Sequence, residues 1–88
     1  MKTKPNILIV EDEQTISFAM KSYLSILGFE VDCARELEEA EALLSNLDYS
    51  VVVADLRLTG VGSEEGLEII NFVRRNCPKT KIVLFDGL

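Results

Sequence analysis

Two short apolar runs in this chain end in carboxylates. Residues 7–10, Ile-Leu-Ile-Val, lead straight into Glu11, Asp12 and Glu13. Residues 49–54, rich in valine, lead into Asp55. An apolar, β-branched run this short reads as a strand covered on both faces. In open parallel α/β sheets, ligands gather beyond the carboxyl ends of the strands. If the two strands are neighbours, Glu11, Asp12 and Asp55 meet at one sheet edge. Like charges that close resist ionising together unless a cation joins them. An all-oxygen donor set suits Mg²⁺. One acidic strand end has a plainer account, because Asp is a common turn residue. Two in one short chain favour a site.

Alternating elements are expected to position these groups. The first strand covers residues 6–10. Ile16, Ala19, Met20, Tyr23, Leu24 and Leu27 then fall at steps of three and four, the spacing of one helical face. Gly28 supplies a left-handed stop. Phe29, Val31 and Cys33 alternate with Glu30 and Asp32, as in a half-exposed second strand. Leu37, Ala40, Leu43, Leu44 and Leu47 form a second helical face, with Glu38, Glu39 and Glu41 mostly opposite as solvated decoration. The third strand ends at Asp55, and a loop with Thr59, Gly60, Gly62 and Ser63 follows. A third helix is marked by Gly66, Leu67, Ile70 and Val73 and stopped at Asn76-Cys77-Pro78. Residues 81–85 form a fourth strand. The order βαβαβαβ predicts an α/β fold with a parallel sheet and right-handed crossovers.

Composition narrows the chemistry. At 88 residues the chain holds one domain, and 48% hydrophobic content argues for a packed globule. A net charge of -6 disfavours direct binding to nucleic acid through phosphate neutralisation. The absence of histidine excludes His-based acid–base catalysis and the usual zinc sites. Cys33 and Cys77 have no metal-ligand spacing and read as reduced thiols of a cytoplasmic protein. No apolar stretch approaches the ~20 residues of a membrane span, and the basic N-terminus leads too quickly into acids for a signal peptide. Gly60-Val61-Gly62 is no phosphate-binding fingerprint. A standalone enzyme is therefore not expected.

Residues 7–13, the segment around Asp55 up to Gly60, Gly66-Leu67-Glu68-Ile69-Ile70 and residues 81–87 together resemble the receiver domain of two-component response regulators. Gly28-Phe29-Glu30-Val31 resembles that family's second strand. The resemblance implies a flavodoxin-like, doubly wound parallel sheet. It implies that Asp55 is the phosphoacceptor. It makes Glu11 and Asp12 the acidic pair that helps hold Mg²⁺, with the backbone carbonyl of Arg57 as a further ligand. It also implies that the donor is a phosphohistidine on a sensor histidine kinase or phosphotransfer protein.

Two departures qualify the likeness. The 88 residues form a single receiver-like domain that lacks the family's last helix-strand-helix portion, including a Lys that pairs with the phosphoryl group. Lys79 and Lys81 lie at the wrong end of the fourth strand to replace it. Asp86 occupies the switch position, where the family usually has Thr or Ser. The alternatives left open are a degenerate receiver, serving dimerisation or protein interaction without phosphotransfer, and a fragment of a longer regulator. An uncovered fourth strand would favour a homodimer or a partner chain along that strand.

Overall fold

The computed structural model describes residues 6–55 and 63–85. Strand β1 (Asn6–Val10) is followed by helix α1 (Gln14–Ile26), β2 (Glu30–Ala34), α2 (Leu37–Asn46), β3 (Val51–Asp55), α3 (Ser63–Asn76) and β4 (Lys81–Phe85). The strands form one sheet in the order β2-β1-β3-β4, and every pairing is parallel. The expected βαβαβαβ order is what the chain adopts.

Covering both faces explains why β1 lacks alternation. Leu8 and Val10 pack with Ala40, Leu44, Val52, Ala54, Ile69 and Val73, the core under α2 and α3. Ile7 and Ile9 pack with Val31, Met20 and Leu24, the core under α1. Leu8, Ile9, Val10 and Val52 are fully buried. Each such side chain contributes about 1.5–3 kcal/mol of transfer free energy. β2 alternates because it borders the described sheet, burying Val31 while Glu30 and Asp32 stay exposed.

Helix α1 closes on Gly28 at φ 104°, a left-handed conformation that disfavours a side chain with a Cβ. Helix α3 begins at Ser63, in the segment expected to be loop. Its polar first turn carries no apolar periodicity, which is why the pattern only emerges at Leu67.

The edge of the sheet where the strands begin is tied by polar contacts. The Asn6 side-chain amide donates to the Asp48 carbonyl at 3.1 Å, and the Thr80 hydroxyl donates to the Tyr49 carbonyl at 2.7 Å. Tyr49 is buried, but its hydroxyl reaches the Asp32 carboxylate at 2.6 Å. Burial first, and then that carboxylate, push the phenol well above its ordinary range. The opposite edge, where the strands end, carries the acids.

Candidate functional site

Register brings the two acidic strand ends together. Val10 pairs with Ala54 across β1 and β3, so the next residues along, Glu11 and Asp55, are lateral neighbours. Adjacent strands lie about 4.8 Å apart. Asp55 closes β3 and is 5% exposed; Glu11 is 1% exposed. Two carboxylates this deep are uncommon without a role or a partner.

Backbone contacts fix Glu11. Its N–H donates to the Ala34 carbonyl at 2.9 Å, extending the sheet by one rung. Its Oε2 accepts the Glu13 N–H at 2.8 Å. Its Oε1 is buried and has no hydrogen-bond partner. Burial is the main influence that lifts the Glu11 carboxyl from 4.5 to about 7; the Glu13 amide opposes it, and the Asp55 and Asp12 carboxyls add to it. At neutral pH the Glu11–Asp55 pair is therefore poised to hold a proton, or a cation in its place.

Asp12 behaves differently. It is exposed, although its side chain comes close enough to raise Glu11. Among the described residues no three His, Cys, Asp or Glu side chains are gathered into a ready-made metal cage. What is present is a buried carboxylate pair with a third carboxylate at its rim. Arg57 and Asp86 lie outside the described residues. The oxygen-only donors and the unsatisfied Glu11 Oε1 fit a hard cation that keeps several waters, as Mg²⁺ does.

A cleft of about 650 Å³ adjoins Glu11 and is lined by Glu11, Gln14, Thr15, Ser17, Phe18 and Arg35, among others. Sequence reasoning did not single out Arg35. Its only signal was its place directly after the second strand, at the same sheet edge as the acids. The two cysteines are free and half-buried, and Cys77 is pushed up by burial and then by Asp48.

Parallel strands wound with helices on both faces, with a buried acid pair at their C-terminal edge, define an α/β domain of the receiver type. Residues 7–87 match the family model for the response regulator receiver domain, and the chain belongs to that family. It is 36% identical over 70 residues to the transcriptional regulatory protein PmrA of Pectobacterium parmentieri, covering 80% of this chain and 30% of that protein. It thus spans under a third of that relative's length. Among solved structures, the response regulator TrrA of Thermotoga maritima, in complex with Mg(2+)-BeF, superposes with a TM-score of 0.83 at 31% identity, over 96% of this chain and 70% of that one. The beryllofluoride-activated NtrC4 receiver domain dimer gives 0.79 at 28% identity, over 90% and 63%. No described helix is long and apolar enough to cross a membrane.

Proposed function

We propose that this chain is a phosphoacceptor. An Asp55 carboxylate oxygen attacks the phosphorus of a phosphohistidine, the P–N bond breaks, and an acyl phosphate forms. The donor is a phosphohistidine of a sensor histidine kinase or a phosphotransfer protein. Mg²⁺ held by Glu11, Asp12, Asp55 and the Arg57 carbonyl would gather the phosphoryl oxygens and neutralise developing charge. Glu11 would help hold that cation, with its Oε2 fixed by the Glu13 amide and its Oε1 unpaired. Asp55 is consumed once per transfer, so the domain is a signalling acceptor and not an enzyme in the ordinary sense. A cytoplasmic location accords with this role.

The observation that carries the reading is the buried Glu11–Asp55 pair, in which Glu11 keeps an unsatisfied oxygen. The TrrA complex supports it, since a relative with this fold was solved with magnesium and a beryllium fluoride group. The test is an NMR titration with Mg²⁺ followed by beryllium fluoride. Amides of residues 11, 12 and 55 should move with Mg²⁺, and those around Asp55 should move again with fluoride. Unmoved amides near Asp55 would refute the reading.

A second reading, an interaction module without phosphotransfer, is favoured by one observation. Helix α1 exposes Phe18 at 73%, Tyr23 at 64% and Ile26 at 82%. Phe18 lines the cleft beside Glu11, while Tyr23 and Ile26 lie at the far end of α1, and such exposed apolar side chains suit a docking protein under either reading. β4 is paired only with β3 among the described strands, and Val83 on it is 49% exposed. Pairing with a second copy along β4 is the assembly we propose.

A further inference from the structure

The acids at the sheet edge attract a cation but oppose the approach of a phosphoryl dianion. A cation of the chain itself stands in the same row. Val10 pairs with Ala34 on β2 and with Ala54 on β3. The next residue on each strand path is therefore Arg35, Glu11 and Asp55, side by side across the C-terminal edge. Asp55, the last residue of β3, shares the face of Val51 and Val53, which pack in the core under α1. Glu11 and Arg35 directly follow β1 and β2 and line a cleft with residues of α1.

Arg35 and Glu11 line one cleft. The other walls are donor-rich. Gln14 and Thr15 form the first turn of α1, whose cap residue Glu13 makes no side-chain capping bond. First-turn amides of a helix favour anions. Ser17, a buried polar residue, also lines the cleft. Glu39 also borders the cleft, but its Oε1 accepts the Arg35 N–H at 2.9 Å, which fixes the backbone from which the exposed guanidinium extends.

We propose that Arg35 is an anion-recognition residue for the phosphodonor, holding the donor's phosphoryl or neighbouring anionic group in this cleft before transfer to Asp55. The proposal rests on the phosphoacceptor reading for its purpose, but its binding step can be measured without any transfer.

The first arm is an NMR titration of the full chain carrying Asp55→Asn with inorganic phosphate. The Gln14, Thr15 and Arg35 amides should shift saturably, and Arg35→Gln should abolish the response. Absent shifts, or shifts that persist in Arg35→Gln, would overturn the proposal; the latter marks a helix-end anion effect only. The second arm follows Asp55 modification by acetyl phosphate with Mg²⁺. Arg35→Glu should slow it by about tenfold at low salt, and the gap should close as salt is raised. Equal rates at low salt would also overturn it. Melting temperature should be unchanged in both variants, which separates recognition from a structural role, and Mg²⁺ affinity should rise in Arg35→Glu, which adds a carboxylate beside Glu11. If the parent chain takes no phosphoryl group at all, the phosphoacceptor reading fails, and the phosphate titration alone decides the role of Arg35.

Discussion

Glu11 and Asp55 lie side by side at the ends of two adjacent parallel strands, both buried, with the Glu11 carboxyl lifted to about 7. Burial is the larger cause and Asp55 a contributing one. The arrangement costs stability and is relieved by whatever cation or proton enters.

Stability should therefore fall as pH rises. An unfolded Glu titrates near 4.5 and the folded group near 7, so between those values the folded state holds the extra proton. The proton-linked stability present below pH 4.5 is lost progressively up to pH 7 and stays lost above it. The expected loss in metal-free buffer is on the order of 3 kcal/mol. Magnesium should reverse it, raising the melting temperature more at pH 8 than at pH 5.5. Thermal melts at the two values, with Mg²⁺ and with chelator, would show this.

Replacing Glu11 with Gln removes the buried charge. In chelator at pH 8 the variant should be more stable than the parent by about 1–2 kcal/mol, read by urea unfolding. Its melting temperature should no longer respond to Mg²⁺. A full Mg²⁺ response in Glu11→Gln would remove Glu11 from the metal-binding set.

Much of this edge was legible in the residues themselves. Residues 7–10 of β1 and 51–54 of β3 are continuously apolar because both faces of these strands are covered, and that continuity makes the carboxylate following each run stand out. The different fates of Glu11 and Asp12 were not legible. They are adjacent acids, and only the extra sheet rung to Ala34 decides that Glu11 turns inward. The start of α3 at Ser63 was hidden by a polar first turn. The Tyr49–Asp32 bond joins residues 17 apart that no local pattern links. Arg35 gave no periodic signal, because its neighbours across the sheet are set by register alone.

The Tyr49 hydroxyl gives a separate test of packing. Tyr49→Phe keeps the buried ring and frees an Asp32 carboxylate that is already exposed to water. The expected cost is about 0.5–1.5 kcal/mol, with no change in metal binding. Chemical denaturation would measure the first and calorimetric titration the second.

Assembly along β4 should be sensitive to charge. Val83→Lys places an ammonium on a half-exposed strand residue where a second chain would pair. If copies associate there, light scattering should show the weight-average mass falling toward one chain in the variant. An unchanged mass distribution would separate assembly from β4.

The central claim is that Asp55 takes a phosphoryl group through a site that Glu11 helps to form. Intact-mass spectrometry after incubation with acetyl phosphate tests it most directly. With Mg²⁺, the parent chain should gain one phosphoryl group, and the gain should vanish with chelator, in Asp55→Asn and largely in Glu11→Gln. An adduct that survives Asp55→Asn, or that forms equally well without Mg²⁺, would contradict the account.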